Sequence, residues 1–298
     1  RRSALAFIGA LVGLTVSPLP REGKSWFVNS LFAKSLFGGM RRYFDFNIVQ
    51  EEPLRKDRRY LCALYPHGFT PMGVPFLCNE WHQEGFIPSV TGASILFNLP
   101  VLRQVLAYFG GAPATRKRIM ECLKKDFPRN ITFITPGGIA EMFHVKRNDV
   151  EHIISERTGF VRCAIEAGAD LVPIYVIGHT QLYEVVGGLI GRICETVSRW
   201  ARVSLLAFHG RFGTPVPYSV PMLAMVGRPI PIGDPVINPS EELVKKVHKQ
   251  YVEELAALFH RHKHKVPGWE DKELYLTSDA KLPPPPVSEL SEYSRSKL

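Results

Sequence analysis

The chain has 298 residues, 45% of them hydrophobic and 22% charged, which is enough for one large domain or two small ones with a substantial core. Its 37 basic and 28 acidic residues give a net charge of +9, which favours an anionic partner such as nucleic acid, a membrane surface or a phosphate-rich ligand. Because there is no nucleic-acid-binding motif and the five cysteines lack zinc-ligand or disulfide spacing, these patterns disfavour nucleic-acid binding, a zinc site and a disulfide-stapled domain.

Two stretches within residues 1–50 predict a membrane-associated segment. Ala4–Val16 is an almost uncharged apolar run with basic residues on both sides. It is shorter than the roughly 20 residues that a spanning helix needs. Three interpretations therefore remain, namely the end of a transmembrane helix, a helix lying in the bilayer, or a buried N-terminal helix. Trp26–Phe46 is aromatic and basic, which predicts an amphipathic helix either at a membrane interface or packed on the core.

A charged connector, Glu51–Arg59, leads into a predicted strand at Tyr60–Leu64 and then into the turn Tyr-Pro-His-Gly at residues 65–68. Proline fixes its own φ and biases the residue before it toward an extended conformation, whereas glycine permits unusual dihedrals and close approach. A histidine on a tight turn after a buried strand is well placed to accept a proton from a substrate hydroxyl. The alternative is that His67 is one of ten histidines and only caps a strand.

Downstream of this turn, helical and strand-like runs alternate, which predicts a layered α/β domain over residues 51–266. Predicted helices, from apolar spacing and boundary residues, are Pro71–Trp81, Leu96–Tyr108, Arg116–Lys125, Thr158–Ala167 and Pro239–Lys263, with one or two more in Gln181–Phe208. Predicted strands, rich in apolar and β-branched residues, are Phe86–Val90, Asn130–Thr135, Asp170–Ile177 and Met222–Ile232. Gly110–Pro113 is predicted to be a loop, and residues 267–298 an extended or flexible polar tail.

Local signals fix several of these boundaries. Thr115 and Ser240 are predicted N-caps, because a hydroxyl there can accept a bond from a free N–H of the first turn. Gly168 is a predicted C-cap, because glycine readily adopts the left-handed conformation that ends a helix. Pro173 interrupts a predicted strand, which places it near a sheet edge or a bulge.

Polar residues that can do chemistry follow two of the predicted strands. Pro136, Gly137 and Gly138 come after the strand Asn130–Thr135, and Glu141 is three residues further on. Loops beyond strand ends meet at one rim of an α/β sheet, so His67 and Glu141 can face the same crevice. Lightly covered glycine N–H groups suit an oxyanion or a phosphate. A plain turn is the alternative for the glycines.

Arg157 precedes the predicted helix Thr158–Ala167. A cation at a helix N-terminus opposes the helix dipole, so we expect Arg157 to have a partner such as a phosphate or Glu141. The alternative is an exposed arginine whose stem lies on the surface. No lysine or arginine lies between Tyr60 and Glu84, which speaks against an anionic acceptor beside His67.

Three motifs, in chain order, resemble the type 2 diacylglycerol acyltransferase family, which includes monoacylglycerol and wax-alcohol acyltransferases. They are Tyr-Pro-His-Gly at 65–68, Pro-Gly-Gly-x-x-Glu at 136–141, and Arg-x-Gly-Phe-Val-Arg-x-Ala-x-x-x-Gly-Ala-x-Leu-Val-Pro at 157–173. The stretches 110–118 and 221–232 are also similar to it, and the resemblance covers most of the chain, from about Trp26 to Lys265.

Two positions depart from the acyltransferase patterns. Tyr65 stands where the family usually has histidine, so we expect activity with altered tuning or substrate choice. Met72 stands where the wider glycerolipid acyltransferases carry an aspartate, which leaves open what orients His67.

The resemblance implies a glycerolipid-acyltransferase-like α/β fold, with a central mostly parallel or mixed sheet flanked by helices. It implies transfer of an acyl chain from acyl-CoA to a neutral lipid hydroxyl, most directly that of diacylglycerol. His67 would be the general base, and Glu141 would orient it or bind the acceptor. The residues implied to bind substrate or stabilise the oxyanion are Pro66, Gly68, Gly137, Gly138, Arg116, Arg157, Gly159 and Phe160.

The same resemblance implies the protein's surroundings. Acyl-CoA enters as a substrate, and neither a metal nor another cofactor is expected. The expected location is the endoplasmic reticulum membrane with the active face toward the cytosol, or the lipid droplet, with a homo-oligomer as the assembly. Leu96–Tyr108 and Gln181–Phe208 would receive acyl chains or contact the bilayer. The alternatives are a monoacylglycerol or wax-alcohol acyltransferase, a lysophospholipid acyltransferase, and a non-catalytic lipid-binding protein.

Overall fold

Five α-helices and eleven strands are found in the part of the chain that the structure, a computed structural model, describes: residues 31–98, 103, 106, 111–125, 128–138, 141, 150–186 and 208–277. The helices are α1 (Leu31–Tyr43), α2 (Gly73–Gln83), α3 (Arg116–Lys124), α4 (Gly159–Ala167) and α5 (Glu241–His262). The strands are β1 (Phe46–Gln50), β2 (Tyr60–Tyr65), β3 (Ile87–Gly92), β4 (Gly111–Pro113), β5 (Asn130–Ile134), β6 (Val150–Ile154), β7 (Asp170–Ile177), β8 (Glu184–Val185), β9 (Phe208–His209), β10 (Met222–Val226) and β11 (Glu273–Thr277).

Seven of these strands form one mixed sheet in the order β1-β10-β7-β2-β5-β3-β4. Five neighbours, from β7 to β4, run parallel, whereas β10 is antiparallel to β7 and carries β1 beside it. Two small pairs, β6 with β11 and β8 with β9, lie outside this sheet. The expected α/β fold with a mostly parallel, mixed central sheet is therefore confirmed.

Helices cover both faces of the sheet, which is why β2 and β7 are buried along their whole length. One face packs against α3, α4 and α5, and the other against α1 and α2. Helix α5 contributes five buried side chains to the first face, namely Val244, Tyr251, Leu255, Leu258 and Phe259. Their spacing places them on one side of the helix, and each buried apolar side chain contributes about 1.5–3 kcal/mol of transfer free energy.

The predicted caps are confirmed. The Thr115 hydroxyl accepts a hydrogen bond from the N–H of Arg118 at 3.3 Å, and the Ser240 hydroxyl accepts one from Leu243 at 3.2 Å. Gly168 ends α4 with φ of +61°. The predicted helices at Pro71–Trp81, Arg116–Lys125, Thr158–Ala167 and Pro239–Lys263 are present with shifts of a few residues at their ends. Four of the five predicted strands agree equally well, whereas the strand predicted at Met222–Ile232 already ends at Val226.

The predicted loop Gly110–Pro113 is wrong, because Gly111–Pro113 is the edge strand β4. Three residues rich in glycine and proline carry no strand signal, and their pairing with β3 imposes the conformation. The predicted helix Gln181–Phe208 is wrong at both described ends. Gln181 closes a 3-10 turn, and Phe208 begins β9. Its middle, like most of the predicted helix Leu96–Tyr108, lies outside the described residues.

Pro173 was predicted near a sheet edge or a bulge. It lies in an interior strand, so the edge is wrong, but a bulge is found opposite it. Its carbonyl accepts a hydrogen bond from Gly227 at 2.9 Å, in step with the pairing of Val226 and Ile174. The next pair is Leu171 with Ile230, so the segment after β10 contains one extra residue. The bulge therefore begins opposite Pro173, which has no N–H to donate to a neighbouring strand.

The aromatic segment before β1 packs on the core. Phe37, Phe44 and Phe46 are buried around Phe76 of α2, with ring centroids 4.3 to 6.5 Å from that ring. Among the described residues, no helix is long and apolar enough to cross a bilayer, and Ala4–Val16 lies outside them. At the other end, the expected tail is ordered at β11, which pairs in parallel with β6.

Candidate active site

Three neighbouring parallel strands, β5, β2 and β7, end at the same edge of the sheet and build the candidate site. His67 stands two residues after β2, the loop with Gly137 and Gly138 follows β5, and His179 follows β7. The carboxyl edge of parallel strands is where α/β proteins usually bind their ligands. The strand-end positions predicted from the sequence are therefore brought together in space.

The imidazole of His67 is held in one orientation by the next peptide. Its Nδ1 lies 2.8 Å from the carbonyl oxygen of Gly68. A carbonyl only accepts, so Nδ1 carries the hydrogen and Nε2 is left as the acceptor. Burial lowers the pKa of His67, the Gly68 carbonyl raises it, and the Arg157 cation lowers it, so that the pKa is below the ordinary 6.5. The ring is therefore a neutral base at neutral pH.

Glu141 is 3% exposed and binds the main chain of His67. One of its carboxylate oxygens accepts a hydrogen bond from the His67 N–H at 2.7 Å. A methyl group at Gly137 would overlap this carboxyl group, so only glycine fits above it. The predicted proximity of His67 and Glu141 is thus present: the carboxylate holds the backbone of His67, while the Gly68 carbonyl holds its ring.

The two glycines after β5 differ in whether their backbone N–H groups are already hydrogen-bonded. Gly138 adopts φ of +55° and donates its N–H to the carbonyl of Thr135 at 3.1 Å, so this N–H is already engaged and the predicted oxyanion role is not open to it. Among the described residues, no acceptor faces the N–H of Gly137 or of Gly68. Both groups therefore remain candidates for contact with a ligand.

Arg157 reaches the same loop from the segment before α4. Its guanidinium donates to the carbonyl of Pro136 at 3.0 Å, and a methyl group at Gly138 would approach it within 2.9 Å. Its charge also acts on His67. The absence of basic residues from Tyr60 to Glu84 is therefore misleading, because the fold supplies a cation to this region from a distant part of the chain.

His179 is a part of this site that the sequence reasoning missed. It is fully buried, and its Nδ1 donates to the carbonyl of Pro66 at 3.0 Å. Its Nε2 accepts the N–H of Gly73, the first residue of α2, at 2.7 Å. The ring therefore ties both ends of the segment containing His67. Burial outweighs the Pro66 hydrogen bond and lowers the pKa of His179 to about 4, which keeps it neutral.

A close backbone approach completes this support. Gly68 adopts φ of +59°, and a methyl group there would come within 2.6 Å of the carbonyl oxygen of His179. The predicted need for glycine after His67 is confirmed on both counts. The signal for His179 was available, since it comes immediately after the most continuously buried strand, just as His67 does.

Glu151 binds Thr180, the residue after His179, and was also missed. It is buried, and its carboxyl group accepts hydrogen bonds from the Thr180 hydroxyl at 2.8 Å and the Tyr175 hydroxyl at 3.0 Å. Burial raises the pKa of Glu151 to about 7, although both hydroxyls and the charge of Lys272 act to lower it. No sequence pattern around this residue indicated a buried acid.

The remaining predicted residues have other surroundings. Arg116 is exposed and forms an ion pair with Glu166 of α4. Gly159 is the exposed first residue of α4. Phe160 is buried against Tyr251, with ring centroids 5.1 Å apart. Tyr65 is 1% exposed in the core beside Tyr175.

We expect Gly137→Ala to reduce turnover strongly, because the added methyl group must displace the Glu141 carboxyl group that holds His67. Overpacking of this kind also lowers the free energy of unfolding by about 1–3 kcal/mol. Gly39→Ala in α1 is the matched control, since no atom of the described residues lies within 4 Å of the added methyl group. Steady-state turnover and urea unfolding of both variants check this. Equal activity of the two variants would contradict the assigned geometry.

The profile of the family described as Diacylglycerol acyltransferase matches residues 5–277. Acyl-CoA wax alcohol acyltransferase 2 from Mus musculus is 29% identical over 249 residues, covering 78% of this chain and 74% of that protein. 2-acylglycerol O-acyltransferase 1 from Bos taurus is 29% identical over 239 residues, covering 75% and 71%. Diacylglycerol O-acyltransferase 2 from Homo sapiens is 32% identical over 243 residues, covering 76% and 62%.

Proposed function

This chain belongs to the diacylglycerol acyltransferase family, and on that premise we propose that it transfers a fatty acyl chain from acyl-CoA to the hydroxyl of a neutral lipid. The names of three relatives support this reaction class, since they describe acyl transfer to a wax alcohol, a 2-acylglycerol and a diacylglycerol. The observation that carries the proposal is the neutral imidazole of His67 at the carboxyl edge of the sheet. It is held at Nδ1, and Nε2 has no partner among the described residues.

The proposed reaction is direct transfer without a covalent enzyme intermediate. Nε2 of His67 accepts the proton of the acceptor hydroxyl as its oxygen attacks the carbonyl carbon of the thioester. The tetrahedral intermediate collapses with cleavage of the carbon–sulfur bond. The CoA thiolate leaves and receives the proton from the His67 imidazolium, which restores the neutral base and releases CoA and the ester.

The oxyanion of that intermediate would be bound by the N–H groups of Gly68 and Gly137, the two that have no acceptor among the described residues. Removal of one such donor costs roughly 3 kcal/mol of transition-state stabilisation in other enzymes. The Arg157 guanidinium, next to Pro136, would contribute positive charge to the oxyanion or to a CoA phosphate. Glu141 keeps the backbone of the base in place.

Diacylglycerol is the acceptor that we propose first, with monoacylglycerol and long-chain alcohols as the alternatives that the relatives support. An anionic lysophospholipid is not disfavoured by charge, since Arg157 lies near His67. The choice of a neutral acceptor therefore rests on the relatives.

We place the reaction at the cytosolic face of the endoplasmic reticulum membrane, with the lipid droplet surface as a second location and a homo-oligomer as the assembly. The state of the cysteines supports a reducing compartment, because Cys62, Cys78, Cys122 and Cys163 are unpaired and buried or half-buried.

The test is an acceptor panel. The full chain is expressed in membranes that lack neutral-lipid synthesis and is given labelled acyl-CoA with diacylglycerol, monoacylglycerol, a long-chain alcohol or lysophosphatidate. Labelled ester from one or more of the first three acceptors is expected. Product from lysophosphatidate alone, or no product with any acceptor, would overturn the proposal.

A further inference from the structure

The loop between β9 and β10 exposes an aromatic side chain that the fold does not use. Phe212 is 84% exposed, and Pro215 and Val216 beside it are also exposed. Solvent-exposed apolar groups that cluster at one tip indicate contact with another apolar surface.

The loop holds this side chain outward by a rigid backbone. Phe212 has φ of +59°, a conformation that costs a non-glycine residue about 1 kcal/mol or more. Gly210 donates to the Thr214 carbonyl and Arg211 donates to the Val216 carbonyl, each at 2.7 Å. A methyl group at Gly210 would overlap the Val216 carbonyl. The exposure of Phe212 is therefore imposed by the loop.

This loop lies at the edge of the sheet that carries His67. Leu223 near the start of β10 pairs with Ile177, the last residue of β7, so the segment before β10 is at the carboxyl end of β7. Phe208, just before the loop, packs on Phe69, with ring centroids 3.7 Å apart. The aromatic tip is thus connected through one ring pair to the turn that holds the proposed base.

The charge of the tip identifies its partner. Residues 208–221 contain no aspartate or glutamate, and the Arg211 guanidinium lies 5.0 Å from the Phe212 ring. An exposed aromatic ring next to a cation suits the headgroup region of a bilayer that contains anionic lipids. The net charge of +9 acts in the same direction.

A second exposed apolar side chain provides an internal comparison. Ile237 is 83% exposed, but it follows the segment in which Ile232 donates to Asp170, at the opposite edge of the sheet. Its neighbours in the chain include Asp234, Glu241 and Glu242, which an anionic surface would repel. The two residues match in exposure and differ in edge and charge.

We propose that the Arg211–Phe212 loop inserts into an anionic lipid surface and so presents the carboxyl edge of the sheet, with His67, to the membrane. The benefit to catalysis rests on the proposed function, because the acceptor then enters from the bilayer side. Insertion of the loop is independent of turnover.

The first test measures insertion directly. Phe212→Trp and Ile237→Trp are made in the full chain and mixed with phosphatidylcholine–phosphatidylserine vesicles whose acyl chains carry bromine quenchers. Quenching beyond that of the parent chain is expected for Phe212→Trp and not for Ile237→Trp. The absence of extra quenching at position 212 overturns the proposal, and a change of oligomer size in Phe212→Ser would then assign the loop to a protein contact.

The second test separates docking from chemistry. Phe212→Ser is expected to lower vesicle binding by about tenfold or more, the loss expected for one buried aromatic side chain. Arg211→Gln is expected to lower binding about fivefold, on phosphatidylserine-containing vesicles only. Turnover of a short-chain alcohol and a short-chain acyl-CoA in solution should stay unchanged in both. Equal loss in Ile237→Ser, or loss of turnover in solution, contradicts the proposal, whereas inactivity of the parent chain contradicts the proposed function.

Discussion

Replacement of His67 by alanine is expected to lower kcat by about 10²–10⁴-fold, the usual contribution of a general base. The change removes the Nε2 acceptor and the Nδ1 hydrogen bond to Gly68 but leaves the Glu141 bond to the backbone N–H. The free energy of unfolding should therefore fall by no more than about 1 kcal/mol. Single-turnover kinetics with labelled acyl-CoA, together with urea unfolding, measure the two effects separately.

The pH dependence of the unmodified enzyme tests the same role. Because burial and the Arg157 charge lower the pKa of His67, kcat/KM should stay high at pH 6.5 and decline only as the pH falls through a lower value. His264→Ala, at an exposed position, is the matched control and should change neither property. Ordinary turnover in His67→Ala would exclude it as the base.

Replacement of His179 by alanine is expected to lower the free energy of unfolding by about 2–4 kcal/mol. The change opens a cavity and leaves two buried backbone groups, the Pro66 carbonyl and the Gly73 N–H, without their partners. Because those groups flank His67, kcat should fall as well, while the acid limb of the pH profile should shift little. Since both ring nitrogens of His179 bind the backbone that flanks His67, we expect it to act as a positioning residue.

A conservative variant separates positioning from general damage. Glutamine carries both a donor and an acceptor, so His179→Gln should restore part of the stability and part of the turnover. Urea unfolding and steady-state kinetics of the alanine and glutamine variants measure this. Full activity in His179→Ala at a temperature where it remains folded would show that the segment needs no such tie.

Much of the site could be predicted because it depends on strand ends. Loops that follow parallel strands meet at one edge, so the positions of His67 and Glu141 implied their proximity before any coordinates. The atoms that meet could not be predicted. A shift of only a few ångström decides whether the Glu141 carboxylate reaches the backbone N–H of His67 or its ring. What orients His67, left open by Met72, is the neighbouring Gly68 carbonyl.

Some features of the structure differ from what the motifs alone indicate. Phe160 lies in an amphipathic helix at helical spacing from Ala164 and Ala167, and this pattern indicates a core residue, which is where the structure places it. Tyr65 continues a fully buried strand and belongs to the core, which the family motif alone does not indicate. The antiparallel direction of β10 could not be predicted, because both the direction and the order of strands in a sheet depend on contacts between segments that are distant in the chain.

Two buried ionisable groups near the site, His179 and Glu151, have opposite effects on the number of protons that the chain binds when it folds. The pKa of His179 falls from 6.5 to about 4, and that of Glu151 rises from 4.5 to about 7. Between pH 4.5 and 6.5, the unfolded chain carries a proton on the imidazole, and the folded chain carries one on the carboxyl group. The pair thus binds equal numbers of protons in both states, and its contribution to stability is independent of pH there.

Each group alone would make the free energy of unfolding depend steeply on pH. The neutral imidazole makes the fold less stable as the pH falls from 6.5 toward 4, and the protonated carboxyl makes it less stable as the pH rises from 4.5 toward 7. Glu151→Gln should therefore expose the histidine slope, with stability rising by about 3 kcal/mol between pH 4 and 6.5. Because His67 also has a lowered pKa and adds its own slope, the quantity to compare is the pH dependence of the urea midpoint in the variant and in the parent. The same pH dependence in both would contradict this. For these two groups in the parent chain, folding in effect moves a proton from the His179 imidazole to the Glu151 carboxyl group, and the pair takes up no net proton from solvent.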